Sequence, residues 1–273
     1  MADLLLRPLG VGEIIDHSLA IYRRQFAPLF LITLMANGLP LVVGIYVTTA
    51  GGVSEHMVLW LANMLFSVVL GALATAATLF IVSETYLGRT LSAGEAFSRA
   101  TRYIGRLVLL SFAMALVIGL GFLLLIVPGI IALSGLLVST QALVLEDKSP
   151  GEALSRSWSL TKGHRWKMLG LVIVIDIIIL IPTVALSFLM MPAAMESGVI
   201  EYSTTDVVWI VVQQLVTIII YPLLYCALTV AYYDLRVRKE GFDLELLEST
   251  LAHALPQGRG SNPRDLPKPR SFG

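Results

Sequence analysis

Few side chains in this sequence could do chemistry. Asp176 is the only acidic residue well inside an apolar run. It lies nine residues past Lys167. At about 1.5 Å per helical residue it sits roughly 13 Å into an apolar layer about 30 Å thick. A carboxylate there is costly, so it is expected to face a bundle interior or a watery cavity. The partners on offer are Asn37, Gln213, Gln214 or water. Such a group is either a proton or ligand site, or a neutral hydrogen-bonded contact between helices. A second set gathers near the ends of the apolar runs: Glu13, Glu95, Glu146, Glu152, Asp234 and Arg236. One reading is a polar cluster that binds a lipid headgroup or a soluble partner. The other is helix caps plus ion pairs that lock a bundle.

Other catalytic patterns do not form. His17, His56, His164 and His253 are scattered, with no pair at a ligand spacing. Gly10-Val-Gly12 lacks the rest of a phosphate-binding loop. No serine stands in a Gly-x-Ser-x-Gly elbow. The single cysteine, Cys226, excludes an intrachain disulfide and reads as a small buried hydrophobe. The sequence therefore gives no reason to expect an enzyme, a cofactor or a metal.

The elements that must position these residues follow from composition. The chain is 56% hydrophobic and 14% charged, with mean hydropathy +0.82. That is an all-α, polytopic membrane protein rather than a soluble domain. Six apolar runs read as transmembrane helices, near 26–47, 57–82, 107–127, 130–145, 168–191 and 207–232. The fourth is short, and Pro128-Gly129 reads as the tight break before it, so runs three and four form a hairpin with a buried turn. Prolines 40, 182 and 222 fall inside runs and read as kinks. Residues 234–251 read as a short separate helix broken near Gly241. The domain assignment is 1–250 as a six-span membrane domain and 251–273 as a disordered cytosolic tail, rich in Pro, Gly, Arg and Ser.

Three short amphipathic helices precede pairs of these runs. Ser149-Pro-Gly-Glu-Ala-Leu-Ser-Arg156 and Ser92-Ala-Gly-Glu-Ala-Phe-Ser-Arg99 agree at six of eight positions. Each pairs a serine with a glutamate three residues on, a capping box. Gly10-Val-Gly-Glu-Ile-Ile15 is a weaker third copy, with Ile15, Leu19 and Tyr22 as its apolar stripe. We read a three-fold internal repeat, each unit being one interfacial helix followed by two spans. Trp158, Trp166 and Tyr103 read as anchors at the membrane boundary.

All nineteen basic residues lie in 1–24, 84–106, 146–167 or 234–273. Six spans put those regions on one side, which the positive-inside rule makes cytoplasmic. The expected placement is a multi-pass protein of the cell (plasma or inner) membrane with both termini inside. Net charge is zero, so no nucleic-acid partner is expected. The partners implied are the bilayer, and lipid headgroups or another membrane protein.

Three stretches carry a family resemblance: Leu6 through Arg24, Val127-Pro-Gly-Ile-Ile with Val144 through Gly163, and Tyr232 through Gly241. They resemble the membrane domain of glycerophosphoryl diester phosphodiesterases and related stand-alone membrane proteins. In the two-domain enzymes a barrel bearing the acid–base residues and metal ligands follows this region. Here only a short tail follows, so the resemblance implies the membrane part and no catalytic residue. It implies a non-enzymatic role in membrane or envelope homeostasis, or as a partner scaffold. The alternative is a small transporter or lipid-handling protein, since repeats and interrupted spans occur there too.

Segregated charge makes a direct prediction. Cysteines placed in 48–56 and 193–205 are expected to react with an impermeant maleimide on intact cells. Those placed in 84–106 and after 240 are expected not to, and outside labelling of that second set would refute the six-span orientation.

Overall fold

The computed structural model describes residues 8–196 and 204–241. The expected disorder of 251–273 falls outside them. The described residues form helices and no strand. Lipid leaves no other choice for an open chain, because every backbone polar group must be paired within its own segment. The helices are α1 (Val11–Arg24), α2 (Phe26–Thr49), α3 (Met57–Tyr86), α4 (Ala93–Thr101) and α5 (Ile104–Leu124). They continue as α6 (Ile126–Leu136), α7 (Ser139–Leu145), α8 (Pro150–Thr161), α9 (Arg165–Glu196) and α10 (Thr204–Glu240). Six segments are long and apolar enough to cross a membrane: α2, α3, α5, α6 with α7, α9 and α10.

Three boundaries differ from expectation. The turn between spans three and four falls at Leu125, which is extended at φ −164° and ψ 157°. Pro128-Gly129 lies inside the first turn of α6, where a missing N–H breaks no helical bond. Residues 234–240 are not a separate helix but the last two turns of α10, which ends at Gly241 with φ +64°. The buried face of α1 is Ile14, Ser18 and Ile21, one position round from the stripe expected. Ile15, Leu19 and Tyr22 are half-buried beside it. The prolines leave α2 and α10 unbroken.

Each short helix α1, α4 and α8 leads into two apolar segments, and each begins with a glutamate bonded to its own N-terminus. Glu13 accepts from the Gly10 N–H at 2.7 Å, Glu95 from Ser92 at 3.2 Å, and Glu152 from Ser149 at 2.9 Å. The serines return the bond to the Glu95 and Glu152 N–H groups at 3.3 and 3.4 Å. Glycine has no side chain, so the first copy keeps only half of the box.

Close approach of the spans uses small residues. Ala74, Ala76 and Ala77 of α3 are buried, whereas Gly71 is exposed. In the α5–α6 hairpin a Cβ on Gly121 would lie 3.0 Å from the Gly129 Cα, so that crossing tolerates little more than glycine. Between α2 and α10 the contact is polar. Pro222 removes the N–H that would pair with the Ile218 carbonyl, and Thr33 Oγ1 donates to that carbonyl at 3.0 Å. Tyr22 donates to the next carbonyl, Ile219, at 2.6 Å.

Removing a serine cap should cost about 1 kcal/mol at either position. Ser92→Ala and Ser149→Ala are therefore expected to lower the melting temperature in detergent alike; an effect at only one would deny the two helices equal roles. Hydrogen bonds from the serines hold both glutamates below their ordinary value of 4.5. A lowered carboxylate stabilises the fold above that value and loses its contribution as pH falls through the folded value. Cap mutants should therefore differ most from the parent near neutrality and converge on it in acid.

Candidate functional site

The described parts of the four basic regions lie at one end of the bundle, and two ionic networks tie four of their cations to three acids. The first centres on Asp234, whose side chain is fully buried. It accepts the Leu9 N–H at 2.7 Å, Lys167 Nζ at 2.5 Å and Arg238 Nε at 3.0 Å. Lys167 and Arg238 also donate to the Leu9 carbonyl, at 2.6 and 2.7 Å. One carboxylate thus joins the segment before α1 to the start of α9 and the end of α10. Two cations at one acid leave the buried charge compensated.

The second network centres on Arg156 of α8. Its Nε donates to both Glu146 oxygens at 2.9 Å, and its two terminal nitrogens reach Glu240, one of them at 2.8 Å. Arg236 Nε reaches Glu240 at 3.1 Å and Tyr232 donates to Glu146 at 2.6 Å. The planar guanidinium suits this double fork, which an ammonium could not reproduce. Glu146 and Arg236, expected in one cluster, are joined here; Asp234 belongs to the other. Glu95 and Glu152 act at helix starts outside both networks, and Glu13 caps α1 near Lys167 of the first.

The rest of the Ser149–Gly163 motif serves a broken helix. Between α6 and α7 the ladder lapses, in a buried part of the bundle. Ser157 Oγ and Thr161 Oγ1 both donate to the Gly135 carbonyl, at 2.8 and 3.1 Å, and the Val138 N–H reaches Ser157 Oγ at 3.3 Å. The hydroxyls replace the partners that the break removed. Trp158 lies flat on Gly135, where an added Cβ would meet its ring at 2.5 Å. Arg165 covers the other ring face at 3.9 Å. Trp158 is thus packed as well as placed at the boundary; Trp166 is 81% exposed and only the latter.

The intramembrane set divides. Asn37 and Gln214 meet, with Gln214 Nε2 donating to Asn37 Oδ1 at 2.9 Å, and Asn37 donates to the Thr33 carbonyl at 2.8 Å. Gln213 is half-buried and its side chain bonds no described residue. Asp176 does not join them, and its expected inward orientation is wrong. It is exposed, and it makes no hydrogen bond or ion pair with a described residue. The reason is the course of α9. Its inner face runs through Met168, Leu171, Ile175 and the half-buried Ile179 and Thr183, and Asp176 stands off that face, where most positions to Ala185 are exposed.

Lys167, Arg156, Tyr232, Glu240, Ser157 and Thr161 are the participants that reading by charge and spacing missed. Ser157 and Thr161 carried a signal: two hydroxyls four apart on the apolar side of a helix share one acceptor. Burial holds His164 below the ordinary histidine value, so its imidazole is neutral at pH 7. No three His, Cys, Asp or Glu among the described residues are grouped to hold a metal.

Residues 100–235 match the family model described as Domain of unknown function (DUF7847). No curated protein and no solved structure matches the chain. The matched range takes in the α5–α6 hairpin, the whole of α8 and the acid of the Asp234 knot.

The two aspartates should behave oppositely. Asp234→Ala strands two cations and the Leu9 N–H, and is expected to cost about 3 kcal/mol, the lower end for a broken buried pair because both cations reach water. Asp176→Leu removes a group with no internal partner and should leave the detergent melting temperature unchanged or raise it. A destabilised Asp176→Leu would show that the aspartate does make an internal contact.

Proposed function

We propose that the chain is a non-enzymatic integral membrane protein that acts as a partner scaffold in membrane or envelope homeostasis. In this reading it resides in the cell (plasma or inner) membrane with both termini cytoplasmic, and it resembles the membrane part of glycerophosphoryl diester phosphodiesterases. One observation carries it: the charged residues singled out at the span ends are occupied by caps and bridges within the chain, while Asp176 faces outward from α9. A carboxylate at that depth is costly in hydrocarbon. A helix of another membrane protein offering a hydrogen-bond donor would remove the cost. The three capped helices, each before two spans, support a three-fold repeat as the framework.

A second reading is a lipid-handling protein or small transporter. It is favoured by the outer face of α9 beyond Ile175, an exposed apolar surface that carries a lone carboxylate. A photo-crosslinking residue at Ile177, itself 47% exposed, separates the two readings in native membranes. The scaffold predicts a discrete protein adduct that Asp176→Leu abolishes. Lipid adducts alone would overturn the scaffold and favour lipid handling.

A further inference from the structure

Away from both networks, a cavity of about 290 Å³ opens between the end of α3 and the α4–α5 corner. Phe80, Ser98, Arg99, Arg102 and Tyr103 line it. Its floor is aromatic: Phe80 and Tyr103 lie 5.8 Å apart between ring centres, and Arg106 lies 4.9 Å over the other ring. Its rim is basic. Arg99 is held by Glu84 at 3.4 Å, and Glu84 also meets Arg89 at 3.8 Å. Arg106 is drawn aside to Asp147 at 2.9 Å. Arg102 is exposed and makes no ion pair with a described residue. Across 84–106 four arginines face two glutamates, one bridged and the other capping α4. Asp147, beside Tyr103 and Arg106, adds a third acid, so the local excess is one positive charge, beside an opening with no carboxylate in its lining.

Depth gives the opening its character. Phe80 stands two residues inside the end of the second apolar run at 82, or about 3 Å below that end at 1.5 Å per residue. The cavity thus runs from guanidinium groups at the water boundary to aromatic rings at the top of the acyl layer. Arginine forks match phosphate oxygens, and the rings match the first methylenes below a glycerol. We propose that this groove binds the phosphate of an anionic phospholipid, with Arg102 and Arg99 on the headgroup and Phe80 and Tyr103 against the upper acyl chains. The site goes beyond the scaffold reading and needs no protein partner.

Native mass spectrometry of the full chain in neutral detergent tests it, with phosphatidylglycerol, phosphatidylcholine of the same chains, and glycerol 3-phosphate as probes. The parent is expected to retain phosphatidylglycerol about tenfold over phosphatidylcholine, the size of one charge-assisted contact. Arg102→Gln should abolish that preference and Arg102→Lys restore only part of it. Lys162→Gln, an exposed cation elsewhere on the same end, should leave it intact. Phe80→Ala should weaken retention of both lipids. Arg102 has no internal ion pair, so an unchanged melting temperature confirms that its variants are folded. Equal retention of the two lipids, or an Arg102→Gln protein that still selects phosphatidylglycerol, would overturn the site. Displacement by glycerol 3-phosphate at equal concentration would also overturn it, since the groove would then take a soluble phosphate ester rather than a lipid.

Discussion

A buried backbone group must have a partner, and that constraint organises this bundle. The fourth apolar segment is two helices, and the lapse between them leaves the Gly135 carbonyl and the Val138 N–H without helical partners. An orphaned buried group costs about 1–3 kcal/mol. Two hydroxyls from α8 meet them. Because those hydroxyls are on α8, α8 must lie against the break, and the rest of that helix is then fixed in place. Its first turn is closed by Ser149 and Glu152. Its indole lies on Gly135, and its arginine reaches the ends of α7 and α10.

The same rule governs the other irregularity, the proline of α10. Pro222 frees the Ile218 carbonyl, and Thr33 of α2 takes it. The chain thus satisfies both of these interruptions with a side chain from another helix. Such bonds have fixed direction, and they set the register of α2 on α10 and of α8 on α6 and α7. Apolar packing alone would set it poorly, because lipid tails compete equally for an apolar face. The ionic networks repeat this at the water boundary. Asp234 joins residues 225 positions apart, which closes the start of the bundle on its end.

How much of this was legible in the sequence varies with the physical signal. Hydropathy sustained over twenty residues is strong, so the six apolar segments were found with their order intact. Ser-x-x-Glu spacing is local, so the caps were found too, and the structure gives those glutamates the structural rather than the ligand reading. The Leu125 turn was not legible, because Leu124, Leu125, Ile126 and Val127 carry no turn chemistry and the eye goes to Pro128-Gly129. The extension of α10 past Tyr232 was hidden by its polarity, since charge at a span end looks like a loop when it is a helix held by bridges. Asp176 failed for a deeper reason. Depth follows from counting residues, but direction depends on which face of α9 its neighbours cover, and that is a property of tertiary packing.

The two ends of the molecule are packed differently. At the basic end α3 buries Leu73 through Thr85 almost continuously, and α10 buries Leu223 through Leu235 in the same way. Towards the other end Met57 through Phe66 of α3 are mostly exposed, and so is α9 beyond Ile175. The directional bonds described above, those of the two ionic networks, of α8 and of Thr33, all lie on the well-buried side. Beyond them the polar contacts between described helices thin to Gln214 on Asn37 and Asn63 on the Pro40 carbonyl, and the apolar contacts have no advantage over contact with lipid. The bundle is closed where hydrogen bonds and ion pairs hold it and loose where they do not. Asp176 stands at the boundary between the two.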